Sequence, residues 1–363
     1  MKRIYCTVTN DLSYDQRMIR ICSSLANAGY RVTLVGRKLR SSVPLLERPF
    51  RQKRIHCLFR KGKAFYFEYN TRLLFYLLFK KIDLVCAIDL DTILPCLYIS
   101  RLKKTKRVYD AHELFCEMKE VVSRPRIYRA WKKIERKTVP KFKYGYTVNA
   151  PIAEEFKKMY GVEYPVIRNV PVLRPFIIPE KKEKYILYQG AVNEGRSFET
   201  LIPAMKEINS KLIIVGDGNF MDQAKGLVRE HGLEDRIQFK GLLLPENLLE
   251  YSRKAWVGIT LFENKGLSNY YSLANRFFDY IHAGIPQVCV NYPVYQELNK
   301  INPVAVLLED LAPGTIAGAV NRLLTDESLY FQLQANCMKM REELNWQREE
   351  KKLLDFYQSL FTA

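Results

Sequence analysis

The sequence predicts an α/β protein of two consecutive Rossmann-like domains, each a parallel sheet covered by helices, that face each other across a cleft. The chain of 363 residues is too long for a single ordinary core. Apolar runs of strand length alternate with amphipathic runs twice, before and after a charged, proline-containing stretch at 172–184. We therefore expect a first domain at 1–172, a second at 173–345, and a closing helix within 346–363 that has the option of returning to the first domain.

The first half opens with a strand–helix–strand unit. Arg3–Val8 and Arg31–Gly36 are the predicted strands, and the helix between them ends at Gly29. No G-x-G-x-x-G follows the first strand, so a dinucleotide site is not supported. Asp15 and Arg17 lie early in the helix, near the edge where open parallel sheets bind ligands. Both are candidate acceptor or cleft residues, although an ordinary exposed first turn would explain them as well.

Polar residues also follow two later strands of this half. Asp89 and Asp91 come after the apolar run 84–88, and we add them to the acceptor or cleft candidates. His112 and Glu113 follow the strand predicted at 107–109. We expect His112 to move a proton or to hydrogen-bond a sugar hydroxyl. Glu113 is the alternative working group, and a purely structural histidine is the other alternative.

Formal charge is distributed unevenly along the chain. Residues 1–172 carry 36 Lys and Arg against 15 Asp and Glu, a net charge of +21, whereas residues 173–363 are nearly neutral at −2. The stretches 48–69 and 121–143 combine basic with aromatic residues, which favours an anionic membrane surface as partner. For the adjoining run 73–79 we favour a core helix. A solvated helix face at 121–143, or a basic surface that serves only solubility, would also explain the pattern.

Several classes of protein do not fit the composition. The eight cysteines have no paired spacing and lie mostly in apolar runs, so we expect core residues in a reducing compartment and no metal site. A Met-Lys-Arg start followed by a strand does not resemble a signal peptide, and no apolar run reaches membrane-spanning length. We therefore expect a cytoplasmic protein, peripheral on the cytosolic face of a membrane. No helix-turn-helix or single-strand platform supports a nucleic-acid partner.

The second half centres on the stretch 269–286, whose middle has helical periodicity and whose end is marked by Gly284. Its apolar side faces a core, whereas four polar residues share the other side: Ser272, Asn275, Arg276 and Asp279. A helix start binds phosphate through free N–H groups, Arg276 would add a cation, and Asp279 could accept hydrogen bonds from two vicinal hydroxyls. An amphipathic helix with a solvated face is the simpler alternative.

Further motifs precede this stretch in a recognisable order: Gly190 with Arg196, then Val215-Gly216-Asp217-Gly218-Asn219, then Phe239-Lys240-Gly241. With Asn275-Arg276-Phe277-Phe278-Asp279 and the later Gly284-Ile285-Pro286, the order resembles the nucleotide-sugar domain of glycosyltransferase family 4, which has the GT-B fold. The first half agrees through Asp15-Gln16-Arg17-Met18 and Tyr109-Asp110-Ala111-His112-Glu113. The resemblance covers nearly the whole chain.

The resemblance implies retaining transfer from a UDP- or GDP-linked sugar, with no metal in the site and no cofactor beyond the donor. By position, Asp279 would bind the ribose hydroxyls, and Arg196 with Arg276 would neutralise the diphosphate. Gly190, Gly216 and Gly218 would allow close approach of the backbone to the donor. The resemblance places His112 near the reacting sugar, with Glu113 and Arg196 as further catalytic candidates. It also predicts that the loop 266–272 meets the donor through its N–H groups.

Two positions depart from the family pattern. Tyr271 stands where the family often has a first Glu, so the sugar is harder to infer. Ala191 stands where an Arg commonly follows the glycine, which leaves Arg196 as the main phosphate cation. The predicted partners are a nucleotide sugar, a saccharide or lipid-linked acceptor and an anionic membrane. The rival functions are a nucleotide-sugar epimerase or a phosphorylase of the same fold, and a basic nucleic-acid-binding protein.

Overall fold

The structure, a computed structural model, describes residues 1–177, 183–243 and 245–362. The chain divides into two compact units: unit 1 holds Met1–Asn169 and Glu349–Ala363, and unit 2 holds Val170–Arg348. Unit 1 is therefore built from two separate stretches of chain. Part of the linker expected at 172–184 lies outside the described residues, and residues 172–177 are neither helix nor strand.

Unit 1 contains a six-stranded parallel sheet of order β3-β2-β1-β4-β5-β6. The strands are β1 (Arg3–Thr7), β2 (Arg31–Arg37), β3 (Arg51–Ile55), β4 (Leu84–Ile88), β5 (Lys106–Ala111) and β6 (Tyr144–Thr147). Strand β4 is buried throughout, as expected of a central parallel strand that is covered on both faces. The order reverses between β1 and β4, and the carboxyl ends of these two strands mark the usual place for a ligand.

The helices of unit 1 pack on this sheet through apolar stripes. They are α1 (Gln16–Asn27), α2 (Gly62–Leu78), α3 (Ile93–Leu102), α4 (Lys119–Val122), α5 (Pro125–Thr138) and α6 (Ala150–Tyr160). Helix α1 buries Met18, Ile21, Cys22 and Leu25 at helical spacing. Helix α6 starts at Asn149, whose side chain accepts the Ile152 N–H.

Unit 2 repeats the arrangement with the order β12-β11-β10-β7-β8-β9. Its strands are β7 (Tyr185–Gln189), β8 (Lys211–Val215), β9 (Ile237–Gly241), β10 (Val257–Thr260), β11 (Gln287–Val290) and β12 (Ala305–Leu308). Its helices are α7 (Phe198–Ala204), α8 (Met221–Glu230), α9 (Pro245–Lys254), α10 (Leu267–Tyr270), α11 (Asn275–Ala283), α12 (Pro293–Ile301), α13 (Pro313–Thr325) and α14 (Glu327–Glu343). The order reverses between β7 and β10. The predicted α/β class, with two parallel sheets, is confirmed.

The last helix, α15 (Trp346–Thr362), leaves unit 2 and packs on unit 1 from Glu349 onward. It buries Leu353, Tyr357 and Leu360. The Tyr357 ring lies edge-on to Tyr146 of β6, with centroids 6.3 Å apart. Glu349 accepts the backbone N–H of Arg168 at 2.9 Å, which ties the start of the returning segment to unit 1.

The stretch 48–69 is not the basic loop with exposed aromatics that the sequence suggested. Residues Arg51–Ile55 form the edge strand β3, where Lys and Arg protect the open edge from pairing with other chains. Helix α2 then buries Phe65 and Tyr69, and the Tyr69 hydroxyl donates to the carbonyl of Val8. Among the aromatic residues of this stretch, Phe59 and Phe67 are 54% and 77% exposed and match the expectation.

Smaller differences concern short segments. The strand expected at 166–167 is a single bridge between Thr147 and Val166, because Pro165 precedes it and only one residue pairs. Helix α12 and strand β12 were not anticipated. The cysteines are all free thiols, and only Cys57 is not fully buried. None of the described helices is long and apolar enough to cross a bilayer.

Candidate functional site

The side chain of Arg276 lies at the place in unit 2 where the strand order reverses. Helix α11 starts at Asn275 and ends at Gly284, which adopts φ 64° as the sequence led us to expect. Its buried face is apolar, and Phe277, Phe278 and Ile281 lie in the core of unit 2. Arg276 is directed to the carboxyl ends of β7 and β10, the edge where open parallel sheets bind ligands.

Arg276 does not lie on a solvated face, because only 7% of the residue is exposed. Its Nη1 donates to the Tyr188 hydroxyl at 3.0 Å and to the Gln189 carbonyl at 3.3 Å, and its Nη2 donates to the Leu261 carbonyl at 3.3 Å. The guanidinium also lies 4.5 Å from the centroid of the Tyr188 ring. The amphipathic pattern did not predict this burial, because the carbonyls that accept from Arg276 belong to two strand ends that are remote in sequence. A planar guanidinium can donate to both of them.

The charge of Arg276 has no carboxylate partner within the described residues. Burial acts to lower the pKa of this guanidinium, but the phenol oxygens of Tyr188, Tyr280 and Tyr295 outweigh it and raise the pKa, so the cation persists. Its Nε is buried without a hydrogen-bond acceptor. A buried cation compensated only by carbonyls and ring faces is costly, and a nearby anion would be stabilised by it.

The three predicted glycines of unit 2 lie in the turns after β7 and β8, and Gly190 is the one beside Arg276. Gly190 has φ 120°, and a Cβ there would lie 3.3 Å from Arg276 Nη1. A Cβ on Gly216 would lie 1.8 Å from the Gly190 carbonyl oxygen, and one on Gly218 would lie 2.2 Å from the Val192 oxygen. The turns after β7 and β8 therefore pack backbone against backbone, which only glycine permits. A direct role in donor binding stays a prediction for all three.

Asp279 lies one helical turn after Arg276 and is half-buried. Its Oδ2 accepts from Gln189 Nε2 at 2.8 Å, and Gln189 Oε1 accepts from the Ser252 hydroxyl at 2.8 Å. Gln189 was missed by the sequence analysis. The signal was present, since it is a polar residue at the end of the buried strand β7, directly before Gly190. The predicted ribose contact of Asp279 stays a prediction.

Arg196, like Arg276, lies near the ring of Phe262. Its guanidinium is 5.6 Å from the Phe262 ring centroid, and that of Arg276 is 6.0 Å from the same ring. The Glu263 N–H donates to the Gly195 carbonyl at 2.9 Å, which fixes the loop that carries Arg196. In the described part of the chain, the Arg196 guanidinium donates no hydrogen bond to protein, so it is available to an anion.

The segment 266–272 is not an open loop. It contains helix α10, and the N–H groups of Asn269, Tyr270, Tyr271 and Ser272 all donate to carbonyls within the same segment. Those four groups are therefore occupied within the segment, and a donor contact through the remaining N–H groups of 266–268 stays a prediction. Ser272 itself is half-buried, and Asn275 is exposed at the start of α11. The Ala274 N–H between them donates to the Tyr295 hydroxyl at 2.8 Å.

Unit 1 brings a second set of predicted residues together at the carboxyl edge of its sheet. The Arg17 guanidinium is 4% exposed and forms an ion pair with the fully buried Asp110 at 2.9 Å. Arg17 Nε also lies 2.8 Å from His112 Nε2. Asp89 accepts the backbone N–H of His112 at 2.8 Å, and its other oxygen lies 3.4 Å from His112 Nδ1. Asp110 was not among the candidates, although it directly follows the strand predicted at 107–109; the structure places it inside β5.

The protonation state of His112 is set by this cluster. Burial acts to lower the pKa of His112, but Asp110 and Asp89 outweigh it and raise the pKa to about 9. The imidazolium then donates from Nε2 to Asp110 Oδ2, 3.2 Å away, whereas the neutral ring accepts the Arg17 Nε–H instead. For Asp110, burial acts to raise the pKa, but Arg17 and His112 lower it to about 2. The cluster is a fixed, charged group that can hold a polar ligand.

The other candidates of unit 1 have separate surroundings. Asp15 caps helix α1 by accepting the Met18 N–H at 3.0 Å, which explains its presence without a ligand. Asp91 accepts from the Thr9 hydroxyl at 2.7 Å where the strand order reverses, and burial raises the pKa of Asp91 to about 7. Asp89 has φ 51°, a strained value typical of functional sites. Glu113 follows His112 and is half-buried.

No group of three or more His, Cys, Asp or Glu side chains among the described residues could hold a metal ion. Of the two predicted cations of unit 2, the guanidinium of Arg196 donates no hydrogen bond to the described protein, whereas that of Arg276 is buried in hydrogen bonds. The absence of a metal from the reaction stays a prediction.

Part of the chain is similar to a known protein family, and the whole chain is similar to solved structures. Residues 172–340 match the family model described as glycosyl transferases group 1. An uncharacterised glycosyltransferase of Methanocaldococcus jannaschii is 26% identical over 182 residues, which is 48% of this chain and 45% of that protein. The match thus spans less than half the length of that curated relative.

Solved structures share the fold over essentially the whole chain. Sucrose-phosphate synthase from Thermosynechococcus elongatus is similar with a TM-score of 0.83 at 18% identity, and all of both chains is covered. Anabaena HepE in complex with UDP-glucose gives 0.76 at 12% identity, with 99% of this chain and 100% of that chain covered. WaaG, a glycosyltransferase involved in lipopolysaccharide biosynthesis, gives 0.74 at 16%, with 97% and 98% covered. The chain therefore has the GT-B fold, and residues 172–340 match the glycosyl transferases group 1 family.

Proposed function

We propose that this protein transfers a sugar, with retention of configuration, from a UDP- or GDP-linked donor to a glycan or lipid-linked acceptor in the synthesis of cell-surface polysaccharide or glycolipid. The observation that carries this proposal is Arg276, a buried cation without a carboxylate partner in the described residues, at the point where the strand order of unit 2 reverses. A diphosphate is the anion that such a site suits, because the negative charge of the leaving group grows as the sugar departs.

The donor would be held by unit 2. Arg196 would pair with the diphosphate directly. Arg276, buried beneath the Gly190 turn, would stabilise the charge of the diphosphate without direct contact. The start of helix α11, at Asn275, would meet the diphosphate. Asp279, held by Gln189, would accept hydrogen bonds from the two ribose hydroxyls. The Anabaena HepE complex, which contains UDP-glucose, supports a nucleotide sugar as the ligand class.

The reacting sugar and the acceptor would meet residues of unit 1. His112, fixed by Asp89, Asp110 and Arg17, is suited to orient a sugar hydroxyl, since its charged ring keeps one geometry at neutral pH. Asp91 lies where a ligand of this sheet is expected and can bind an acceptor hydroxyl. The nucleotide sugar is the only co-substrate in this proposal, and neither a metal nor a further cofactor takes part.

The location of the reaction is also part of the proposal. The net charge of +21 on residues 1–172 favours association with the anionic cytosolic face of a membrane, where lipid-linked acceptors are available. Flotation of the whole chain with phosphatidylglycerol vesicles at low salt tests this point, and failure to float with them would contradict it.

The alternative is a nucleotide-sugar epimerase of the same fold. Incubating the protein with donor alone, followed by product analysis, distinguishes the two, because an epimerase releases a changed product without any acceptor. A phosphorylase would need a lysine that binds its cofactor, and the sequence offers no identifiable one.

Calorimetry with UDP and GDP tests the placement of the site. Asp279→Ala should weaken nucleotide binding at least tenfold, which corresponds to about 1.4 kcal/mol. The matched control is Asp222→Ala, which removes an exposed carboxylate at the start of α8 and should leave the affinity unchanged. Equal affinity of the Asp279 variant and the wild type would contradict the assignment. A thermal-shift screen of nucleotide sugars would then identify the donor.

A further inference from the structure

A cationic cavity lies at the amino edge of the unit 1 sheet, at the opposite end of the strands from His112 and Asp91. Its volume is about 160 Å³, and it is lined by residues at the starts of β1, β2 and β3 and just before β4: Arg3, Tyr5, Arg31, Thr33, Arg51 and Lys81. A water molecule occupies about 30 Å³ in the liquid, so the cavity has room for roughly five waters or one phosphate group.

Three of the four cations in this cavity are uncompensated. Arg3 pairs with Asp83 at 2.9 Å. Arg31, Arg51 and Lys81 have no ion pair with any carboxylate in the part of the chain that the structure describes. Like charges gathered in this way repel each other, and an anion with several oxygen atoms would relieve the repulsion.

A patch of exposed apolar side chains lies toward the ends of α2 and α3. Phe75 and Phe79 lie four residues apart at the end of α2, as do Tyr98 and Leu102 on α3. All four are between 55% and 80% exposed. The ends of the two helices are joined by a hydrogen bond of 2.8 Å from Lys103 Nζ to the Leu78 carbonyl. Several large apolar side chains exposed together on a soluble surface mark an interaction site.

Tyr76 connects the patch to the cavity. It lies near Tyr5 and Arg51 of the cavity wall. The ammonium groups of Lys80 and Lys53 lie 4.9 Å and 6.0 Å from the centroid of its ring. We call the residues that line the cavity, Tyr76 and the four exposed apolar side chains the basal surface.

We propose that the basal surface docks unit 1 on an anionic bilayer, with a lipid phosphate in the cavity and the side chains of Phe75, Phe79, Tyr98 and Leu102 in the headgroup layer. The positive charge around the cavity favours a bilayer over a second copy of the chain, because two basal surfaces would repel each other. This inference specifies the membrane part of the proposed function. The membrane contact is then not at 121–143, where Lys132 of α5 forms ion pairs with Glu117 and Glu135.

Vesicle flotation of the full-length protein tests the proposal. Combined replacement Arg31→Gln, Arg51→Gln and Lys81→Gln should weaken binding to phosphatidylglycerol–phosphatidylcholine vesicles about a hundredfold, since each cation near an anionic surface contributes roughly fivefold. The matched control removes three exposed charges from α5 through Arg126→Gln, Lys133→Gln and Lys137→Gln and should bind like the wild type. Phe75→Ser with Phe79→Ser should weaken binding at least tenfold.

Three results would overturn the proposal. The first is loss of vesicle binding in the α5 control but not in the basal variant. The second is equal binding of the wild type to neutral and anionic vesicles. The third is a wild-type dimer in light scattering that the phenylalanine variant converts to monomer. Nucleotide calorimetry on the same variants should be unchanged, so failure of the basal surface is distinguishable from failure of the transferase proposal.

Discussion

Replacing Arg276 by Met tests whether this residue holds the carboxyl ends of β7 and β10 together. The substitution removes the donors of the Gln189 and Leu261 carbonyls. Each buried acceptor left without a donor costs about 1–3 kcal/mol, so the gross loss is about 2–6 kcal/mol. Removing a desolvated charge offsets part of this, and we expect unit 2 to lose roughly 2–4 kcal/mol of its free energy of unfolding. The Tyr188 hydroxyl keeps its own bond to the Ala191 carbonyl.

The assay combines denaturant unfolding with hydrogen exchange. Exchange at the ends of β7 and β10 should accelerate in Arg276→Met by more than in the rest of unit 2, because the fork that joins these strand ends is absent. Arg276→Lys should lose less stability, since an ammonium retains the charge but not the planar fork. Nucleotide affinity should fall in both variants.

Arg196→Met is the matched control, because both guanidinium groups lie near the Phe262 ring and only that of Arg276 is buried in hydrogen bonds. We expect the control to change stability by no more than about 0.5 kcal/mol while it weakens nucleotide binding. The reasoning is refuted if Arg276→Met unfolds at the same denaturant concentration as the wild type with unchanged exchange at the two strand ends.

Three further predictions concern unit 1. The pKa of about 9 for His112 lies above its ordinary 6.5, so the stabilisation that His112 contributes is complete below pH 6.5 and is lost as the pH rises through 9. When unfolding is measured against pH, His112→Gln should lack this decline of roughly 3 kcal/mol in the free energy of unfolding. The pKa of about 7 for Asp91 also lies above its ordinary value, so the carboxyl stabilises the fold below about pH 4 and loses this effect through pH 7. Asp91→Asn should therefore exceed the wild type in stability by roughly 4 kcal/mol above pH 7 and equal it below pH 4, and a flat difference would contradict the buried carboxyl. Tyr357→Ala should destabilise unit 1 by about 3–5 kcal/mol in denaturant titrations and leave unit 2 unchanged, whereas equal effects on both units would contradict the assignment of α15.

Central strands and helix ends could be predicted from local pattern. Strand β4 is a run of five apolar residues, and a buried parallel strand requires that pattern. Gly284 marked the end of α11 because a left-handed residue there favours glycine. Edge strand β3 could not be found in this way, since only Ile55 of its five residues is buried and its stability comes from pairing with β2.

Long-range pairing explains what the sequence analysis missed in the site. Asp110 lies inside a strand, and its ionised state depends on Arg17, which is 93 residues away in sequence. Arg276 was placed by its spacing on a polar helix face, whereas its burial depends on carbonyls of two other strands. Helical spacing indicated Asp279, and the family resemblance indicated Arg196. The bonds that hold Asp279 involve Gln189 and Ser252, which no periodicity relates to it.

The membership of α15 in unit 1 has a consequence for how the chain folds during synthesis. Residues 1–169 leave the ribosome long before residues 349–362. Tyr146 of β6 therefore stays uncovered by Tyr357 while unit 2 is synthesised. Unit 2, as one uninterrupted segment, can fold in the meantime. The lobe that is translated first is thus the one completed last, and a nascent chain stalled before residue 349 would present an open aromatic groove to chaperones.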